Sequence, residues 1–517
     1  MTVIANAERA SRGGSVRHHR IAIVGAGFAG LGTAIGLRRA GIEDFVVLEK
    51  AAEVGGTWQA NTYPGCQCDV PSHLYSLSFA PNPDWTHTFS SQPEIWSYLR
   101  SVADAHGVRE KIELGVELMS ADWIHDEQLW LLQTSKGPLT AEILVSGMGA
   151  LAEPALPDIE GLASFAGPCF HSARWDADVA LTGKRVAVIG TGASAIQIVP
   201  KIQPEVAELR LFQRTAPWIM PHPGRAISGA ERHLYKAVPA AQRLMREAIY
   251  WGRELYVLPF LHPLLAKPGE LIAQRHLAAQ VPDPQLRAKL TPSYRMGCKR
   301  VLLSDEYYPA IQRENVQLVT EPIERVTPAG VLTRDGVEHE LDAIVLSTGF
   351  HVTDVPFAPI VRGRHGRSLA ETWHGSPKTH LGTTVAGFPN LFLLLGPYTG
   401  LAHTSVVFMI ECQIAYLMDC IATMDRERTR SVEPTATAQD AFVAEMRRRA
   451  TGTVWSSGGC ASWYLDAEGR PSAIWPGPTW RFRARLRRFQ RSEYLCKPQT
   501  LSGVAAIREA ETAGGPR

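Results

Sequence analysis

Two short apolar runs, residues 21–24 and 185–189, are rich in β-branched side chains and are typical of buried parallel strands. Each run leads into a glycine-rich turn, residues 25–30 and 190–195, and each turn leads into a helical pattern and a further apolar run. This order of strand, glycine turn, helix and strand is typical of dinucleotide-binding units. The pattern predicts an α/β fold with two Rossmann-like dinucleotide-binding domains.

The first unit contains every residue that such a site needs. Gly25 permits the tight turn, Gly27 lets the backbone approach a pyrophosphate, and Gly30 lets the helix pack on the strand. The phosphates lie at the helix N-terminus, where free N–H groups and the helix dipole favour negative charge. Glu49 follows Gly30 by 19 residues, at the end of the next strand, where it can accept hydrogen bonds from ribose hydroxyls. Dinucleotide binding is favoured over a tight turn in another kind of α/β protein.

The second unit differs from the first at two positions. Ala195 replaces the third glycine, which is a tolerated change, and Arg214 follows it by 19 residues, the same offset as Glu49 has from Gly30. An acid at this offset accepts from a ribose 2′-hydroxyl, whereas an arginine suits a 2′-phosphate. The alternative for Arg214 is a solvated strand end. The residues predict FAD in the first site and NADPH in the second.

Two segments lack a regular period but carry aromatic and charged residues at fixed spacing. Residues 56–69 read Gly-x-Trp-x-x-x-x-Tyr-Pro-Gly-x-x-x-Asp, and residues 165–176 read Phe-x-Gly-x-x-x-His-x-x-x-Trp-Asp. Taken alone, the first is coil with a core tryptophan and a turn-capping acid, and the second is a surface linker with buried aromatics. Their spacing resembles the motifs of type I Baeyer–Villiger monooxygenases. The matching fingerprint residues are Phe165, Gly167, His171, Trp175 and Asp176.

The resemblance covers about residues 20–490 and implies an FAD- and NADPH-dependent monooxygenase. Such an enzyme converts a ketone to an ester or lactone with O2 through an FAD C4a-peroxide, and it can also oxidise sulfides. The matching positions imply that Arg300 is catalytic and that Asp69 orients it, because a guanidinium keeps its proton and can hold the peroxide anionic. They also imply that Lys299 reaches the NADPH phosphate. His171 and Trp175 are expected to act through hinge and packing.

The residues expected to contact the coenzymes lie in or beside these motifs, with the addition of Leu118. They are Gly25, Gly27, Phe28, Ala29, Gly30, Glu49, Lys50, Thr57, Trp58, Gln67, Cys68, Asp69, Tyr75, Leu118, Thr191, Gly192, Ala193, Ser194, Ala195, Ile196, Gln197, Arg214, Thr215, Lys299 and Arg300.

The same patterns predict the domain boundaries. We expect a flexible N-terminal tail (1–19), a discontinuous FAD domain (20–150 and 385–500), an NADPH domain (151–217 and 298–384), a helical insertion (218–297) and a C-terminal tail (501–517). Within the domains, the patterns predict a helix over 92–105, a β-meander over 112–134 with Trp123 and Trp130 in the core, and a helix from 405 through 417. The most apolar part of the insertion, residues 250–251 and 256–265, is expected to pack between helices. The alternative is a lid over a substrate channel.

Composition narrows the class of protein. Lys+Arg 53 against Asp+Glu 51 leaves almost no net charge, which argues against a general nucleic-acid binder. The sequence has no run of about 18 uncharged apolar residues, so no membrane span is expected. The polar N-terminus is not expected to be a signal peptide. The eight cysteines are scattered without a CxxC pair, which predicts free thiols, no metal site and a cytoplasmic location. The arginine-rich residues 481–491 are expected to form a solvated basic strand or loop, with Phe482, Leu486 and Phe489 as core contacts.

Three alternatives remain open at this point. A class B flavin monooxygenase that oxidises sulfur or nitrogen is close, although Trp175 argues against it. A flavin reductase without oxygen transfer and a non-enzymatic NADPH-binding sensor are further away, because no CxxC redox pair occurs and both glycine loops are intact. The sequence specifies neither the ketone nor the oligomeric state, since both depend on how several segments pack.

Overall fold

The computed structural model describes residues 16–149, 151 and 153–498. The predicted C-terminal tail and residues 1–15 of the predicted N-terminal tail lie outside the described residues.

In the described part of the chain the strands are, in order, β1 (Arg17–Val24), β2 (Phe45–Glu49), β3 (Ile112–Leu114), β4 (Leu118–Ile124), β5 (Leu129–Thr134), β6 (Gly137–Ser146), β7 (Cys169–His171), β8 (Arg185–Ile189), β9 (Glu208–Phe212), β10 (Ile219–Met220), β11 (Leu302–Leu303), β12 (Val316–Val319), β13 (Ile323–Thr327), β14 (Gly330–Thr333), β15 (Glu338–Glu340), β16 (Ala343–Leu346), β17 (Val361–Arg362), β18 (Leu391–Leu393), β19 (Thr429–Pro434) and β20 (Tyr494–Pro498). The α-helices are α1 (Phe28–Arg39), α2 (Thr57–Ala60), α3 (Gln92–Ala105), α4 (Ala193–Ile202), α5 (Gly229–Ala237), α6 (Pro239–Glu254), α7 (Val257–Leu261), α8 (Lys267–Gln280), α9 (Pro284–Lys289), α10 (Tyr307–Ile311), α11 (Leu369–Trp373), α12 (Val406–Arg426), α13 (Ala436–Ala450), α14 (Val454–Ser457) and α15 (Thr479–Arg485).

The first large sheet has the order β17-β4-β5-β6-β1-β2-β3, and β18 also pairs with β6. Its central strand β1 is parallel to β2 and β6, and all four residues of the predicted apolar run are buried. The strand begins at Arg17, so the prediction that residues 17–19 belong to the N-terminal tail is wrong. Pairing of their backbone with β6 and the ion pair of Arg17 with Glu113 hold them in the sheet.

The predicted meander over 112–134 is only partly right. β4, β5 and β6 form antiparallel hairpins, but β3 leaves this group and pairs in parallel with β2. The three residues Ile112, Glu113 and Leu114 carry no signal of their partner strand, so the sequence could not distinguish the two pairings. Trp123 and Trp130 are buried as predicted, with ring centroids 5.5 Å apart.

The second large sheet has the order β12-β9-β8-β16-β7 and is parallel throughout. β8, α4 and β9 form the strand–helix–strand unit around the second glycine loop. The fingerprint segment contributes the edge strand β7, whose three residues pair with β16. These two sheets confirm the predicted fold class, and helices α5 to α9 confirm the helical character of the insertion.

The apolar part of the insertion does not pack as predicted. Tyr250 is buried, but Trp251, Tyr256 and most of the large side chains up to Leu265 are exposed. The reason is that α6 turns a polar face towards the rest of the protein, as described below. Pro239 and Pro268 occupy the first turns of α6 and α8, where proline is tolerated.

Helix α12 is the one described helix that is long and apolar enough to cross a membrane by length and composition. Its most apolar 18-residue window is 61% buried inside the protein, and it includes the charged residues Glu411 and Asp419. The Ser405 side chain caps its N-terminus by accepting from the N–H of Val407. Burial of this kind is typical of a core helix.

Two further expectations are wrong. The arginine-rich segment begins as helix α15 rather than a strand or loop, although Phe482, Leu486 and Phe489 are buried as predicted. Cys298 and Cys460 form a disulfide across 162 residues of sequence, so not every thiol is free. Sequence spacing cannot reveal a pair that only the fold brings together. The other six cysteines are unpaired.

Candidate active site

The first glycine loop connects β1 to α1. A Cβ on Gly30 would overlap the carbonyl oxygen of Gly25, so only glycine allows this approach of helix and strand. The N-terminus of α1 at Gly27 has no side-chain cap. The buried carboxylate of Glu49 accepts from the N–H of Ala26 at 2.7 Å and from the N–H of Ala51 at 2.8 Å. The loop thus presents free N–H groups beside one fixed acid.

Three aromatic rings cover this loop. Trp58 lies in the short helix α2 and donates its indole N–H to the hydroxyl of Tyr75 at 3.1 Å. Phe28, the first residue of α1, packs edge-on against Tyr75 with centroids 5.2 Å apart. Three residues predicted to contact a coenzyme from separate segments are therefore brought together.

The segment around Gly65 joins the two nucleotide units. The Gln197 side chain, on α4 of the second unit, accepts from the hydroxyl of Tyr63 at 3.0 Å and from the N–H of Gln67 at 3.3 Å, and it donates to the Gln67 carbonyl at 3.1 Å. Gly65 has a left-handed φ of +80°, and a Cβ there would lie 2.7 Å from the carbonyl oxygen of Gln197. These contacts fix the backbone at Gln67, two residues before Asp69.

Asp69 and Arg300 form a bidentate ion pair. Arg300 Nη2 donates to Asp69 Oδ1 at 2.6 Å, and Nε donates to Oδ2. About a quarter of each side chain is exposed, 27% for Asp69 and 28% for Arg300. Burial alone would raise the pKa of Asp69, but the Arg300 charge outweighs it and the pKa falls below the ordinary value. For Arg300 the carboxylate outweighs burial and raises the pKa, so both groups stay charged.

Arg253, at the end of α6, is a second cation at this pair, and sequence reasoning missed it. Its Nη2 donates to the backbone carbonyl of Asp69 at 3.2 Å, while its buried Nε has no partner among the described residues. Burial lowers the pKa of Arg253, and the charge of Arg300 also lowers it, against the attraction of Asp69. Arg300 bonds the carboxylate of Asp69 and Arg253 bonds its backbone carbonyl, so two positive charges lie beside one negative charge.

The adjacent Glu254 fixes the end of α6. It is buried and accepts from the N–H and the hydroxyl of Thr479 at 3.0 and 2.6 Å, and it lies 3.2 Å from Nε2 of His403. It thereby connects the insertion to the segment that precedes α12 and to the start of α15. Only the tertiary contacts could have identified Arg253 and Glu254, because neither stands at a recognisable spacing.

The second glycine loop connects β8 to α4, and α4 also starts without a side-chain cap at Gly192. The Thr191 hydroxyl donates to the carbonyl of Thr215 at 3.1 Å. Arg214 is exposed at the end of β9. Lys299 lies over the ring of Tyr294, 5.2 Å from its centroid. Burial lowers the pKa of Lys299 and the nearby charge of Arg214 lowers it further.

Arg214, just after β9, and Lys299, just before β11, are therefore two neighbouring cations. Among the described residues no carboxylate lies within ion-pair distance of either, whereas the equivalent position of the first unit holds an acid. The arrangement suits an anion with more than one oxygen, such as a phosphate.

The fingerprint segment lies along the edge of the second sheet. His171 is buried and its Nδ1 accepts from the N–H of Ala173 at 3.1 Å, but its Nε2 has no partner among the described residues. Burial lowers the pKa of His171 to about 4. Its ring packs edge-on against Phe350, just beyond β16, at 5.6 Å, and Trp175 packs against Phe170 at 5.2 Å. In the described part of the chain, no hydrogen bond joins His171 or Trp175 to the Asp69–Arg300 pair.

The remaining predicted residues are placed as follows. Lys50 forms an ion pair with Glu153, Leu118 starts β4 and lines a small apolar cavity, Cys68 is buried beside Asp69, Phe165 and Gly167 lie beside β7, and Asp176 caps the N–H of Asp178. Ala29 is in α1, Thr57 is in α2, and Ala193, Ser194, Ala195 and Ile196 form the first turn of α4. Tyr464, buried beside Arg300, was not predicted; burial raises its pKa to about 12. No group of three His, Cys, Asp or Glu side chains is placed to hold a metal ion in the described ranges.

A sequence profile of the family described as Pyridine nucleotide-disulphide oxidoreductase matches residues 22–238. This range contains both glycine loops, the 56–69 segment and the fingerprint.

Full-length similarity extends to curated proteins and solved structures. A Baeyer-Villiger monooxygenase of Streptomyces coelicolor is 50% identical over 499 residues, which cover 96% of this chain and 96% of the relative. The crystal structure of cyclohexanone monooxygenase from Rhodococcus sp. Phi1 bound to NADP+ is 30% identical, with a TM-score of 0.84 over 94% of this chain and 100% of that chain. A structure of OTEMO in complex with FAD and NADP is 27% identical, with a TM-score of 0.83 over 92% and 99% of the two chains.

Proposed function

The chain belongs to the Baeyer–Villiger monooxygenase family, and from that premise we propose that it converts a ketone to an ester or lactone with O2 and NADPH, using FAD. The observation that carries the proposal is the Asp69–Arg300 ion pair. It lies where the segment from the first nucleotide unit meets the second unit. A permanent cation at this point is what an oxygen-insertion reaction requires.

The first unit fits a flavin dinucleotide. The uncapped N-terminus of α1 supplies N–H groups for the pyrophosphate, and Glu49 supplies an acceptor for the ribose. Near the start of α12, His403 Nδ1 and Thr404 Oγ1 are buried without a partner among the described residues. Buried polar atoms without partners are costly, which supports a polar ligand at this end of the site. We assign FAD to this unit.

The second unit fits NADPH. Arg214 and Lys299 provide the paired cations that a 2′-phosphate requires, and the uncapped start of α4 faces the pyrophosphate position. The buried Ser347 hydroxyl, beside the second glycine loop, also lacks a partner in the described ranges. Discrimination between NADPH and NADH then depends on two side chains outside the glycine loop.

When bound, FAD would supply the redox and oxygen chemistry, with NADPH as the source of hydride. The residues of this chain supply charge and shape. Arg300 holds negative charge on oxygen, first on the oxidant and then on the carbonyl oxygen of the ketone as its bond order falls. Asp69 fixes the plane of the guanidinium through two hydrogen bonds, and Arg253 fixes the Asp69 backbone. The rings of Trp58, Tyr75 and Phe28 exclude water from one side.

The domain boundaries given by the sequence patterns are retained as part of this proposal, with the N-terminal boundary moved to the start of β1. We also retain the cytoplasmic location, although the Cys298–Cys460 disulfide removes part of its support. In this assignment His171 and Trp175 connect the second sheet to the segments that cross between the two units, and they do not touch the substrate.

Replacing Arg300 by Ala tests the proposal. We expect ester or lactone formation to fall at least about a hundredfold, because a preorganised charge at a developing oxyanion is worth that much or more, while NADPH oxidation continues. The assay uses purified holoenzyme, a panel of linear, cyclic, aromatic and steroidal ketones with a thioether for comparison, and product analysis beside NADPH consumption. Arg295→Ala is a suitable control, since Arg295 lies on the same segment and pairs with Glu270 instead. Normal product yield from the Arg300 variant would contradict the proposed role.

A further inference from the structure

Helix α6 has its polar face inside and its apolar face outside. Leu244, Trp251 and Leu255 are 72%, 55% and 69% exposed, and they follow one another at spacings of seven and four residues, so they share one helix face. We call this set the apolar stripe. A helix on the surface of a globular protein normally shows the opposite arrangement.

The inward face of α6 carries polar side chains that bond to the rest of the protein. Gln242 donates to the Asn82 carbonyl at 2.6 Å, and Arg246 donates to the His73 carbonyl at 2.7 Å and pairs with Glu411. One turn further on, Tyr250 bonds the Thr479 hydroxyl at 3.1 Å. Together with the contacts of Arg253 and Glu254, these bonds prevent rotation about the helix axis. The apolar stripe is therefore held outwards by the fold.

The exposed apolar surface continues into the next elements. Tyr256 and Leu258 at the start of α7, and Leu264 and Leu265 before α8, are exposed. On α8 the exposed pair Leu271 and Ile272 follows within two turns. A run of exposed apolar side chains of this length marks an interaction surface.

Exposed cations flank this surface. Arg243 precedes Leu244, Lys267 follows Leu265, and Arg275 lies one turn after Leu271 on α8. None of the three has a carboxylate within ion-pair distance among the described residues. We call them the basic collar. Of the acids in α6 and α8, Glu254 is buried and Glu270 is bonded to Arg295, which leaves Glu247 as the exposed acid.

We propose that the apolar stripe and the basic collar bind the surface of an anionic lipid membrane, with α6 lying in the headgroup plane. Apolar and aromatic side chains on one face with lysine and arginine beside them are typical of helices that lie in this interface. A second copy of the chain fits less well, because a two-fold contact brings the same three cations to the interface from both sides. Membrane binding by this surface does not depend on the proposed reaction.

Vesicle binding by the full-length holoenzyme tests this inference. We expect the protein to sediment with vesicles of phosphatidylcholine and phosphatidylglycerol, to bind pure phosphatidylcholine weakly, and to dissociate from the anionic vesicles at high salt, where the Debye length is about 3 Å at 1 M. Hydrogen exchange of residues 255–265 should slow when anionic vesicles are added.

Two triple variants separate the contributions. Arg243→Gln, Lys267→Gln and Arg275→Gln together should lower the partition coefficient roughly a hundredfold, since each cation near an anionic surface is worth about fivefold. Leu244→Ser, Trp251→Ser and Leu255→Ser should weaken binding to all vesicles. Matched controls at exposed positions elsewhere, Met119, Val337 and Leu495 to Ser and Arg313, Arg334 and Arg448 to Gln, should bind like the unmodified protein.

All variants should oxidise NADPH at the unmodified rate without vesicles, which shows that they are folded. The inference is overturned if the holoenzyme does not bind anionic vesicles, or if the stripe and collar variants bind as well as their controls. It is also overturned if the unmodified protein does not bind vesicles but forms a concentration-dependent dimer that the stripe variant abolishes. The surface would then serve self-association.

Discussion

The two nucleotide-binding units of this chain share one backbone arrangement but differ in the charge at the end of their second strand. In the first unit Glu49 is buried, and both of its oxygens accept backbone N–H groups. In the second unit Arg214 is exposed beside Lys299. The strand–loop–helix geometry creates a place for a pyrophosphate in both units. We propose that the side chain at the strand end, joined in the second unit by Lys299, decides which coenzyme fits.

The units also differ in how closely they are covered. The first has Trp58, Tyr75 and Phe28 packed over its loop, whereas in the second Arg214 is exposed and Lys299 is partly buried. Under the proposed function this difference suits a flavin that stays bound through the cycle and a nicotinamide that enters and leaves.

The largest effect is expected from reversing the charge in the first unit. Glu49→Arg places an unpaired cation against two N–H donors in a buried site, and an uncompensated buried charge costs about 3–5 kcal/mol. We expect the protein to be purified without flavin, as measured by the ratio of flavin to protein absorbance. Glu43→Arg, just before β2 and exposed, should keep its flavin. A flavin-loaded Glu49→Arg protein would show that the acid does not determine coenzyme choice.

An intermediate effect is expected from removing the cations of the second unit. Arg214→Ala and Lys299→Ala should each raise the KM for NADPH about 10- to 100-fold, since a charge-assisted hydrogen bond contributes about 1.5–3 kcal/mol. The KM for NADH should change little. Arg210→Ala, on β9 and paired with Glu208, is the control. If both coenzymes weaken equally in steady-state kinetics, neither cation binds the 2′-phosphate.

The smallest effect concerns pH and the edge of the second sheet. The pKa of His171 is about 4 in the folded protein and about 6.5 when unfolded, so the unfolded chain binds more protons between these values. Its contribution to stability is complete above about pH 6.5 and decreases as the pH falls towards 4. Between pH 7 and pH 5 the unmodified protein should lose about 2 kcal/mol relative to His171→Gln.

Denaturant unfolding of both proteins at the two pH values measures this difference. If the difference in the free energy of unfolding between the two proteins is the same at both pH values, His171 is not buried in its neutral form. Flavin fluorescence followed in parallel should report little change, since the first unit has no corresponding histidine.

Much of the local structure was predictable from the sequence. Helix 92–105 and strand 185–189 were predicted at the observed bounds, because hydrophobic period and turn residues act over short distances. The roles proposed for Arg300 and Asp69 came from motif resemblance, and their ion pair connects positions 231 residues apart. No local pattern indicates that such a pair forms.

Three features depended on the tertiary structure alone. Arg253 reaches Asp69, Cys298 meets Cys460, and the apolar stripe of α6 faces outwards. The sequence determined that α6 is a helix with one apolar and one polar face, since the period of 3.6 residues is a local property. Which face turns inwards depended on what the rest of the chain presents to it. Here the carbonyls of 73–82, Glu411 and Thr479 offered hydrogen bonds, and the polar face was buried because those partners satisfy it.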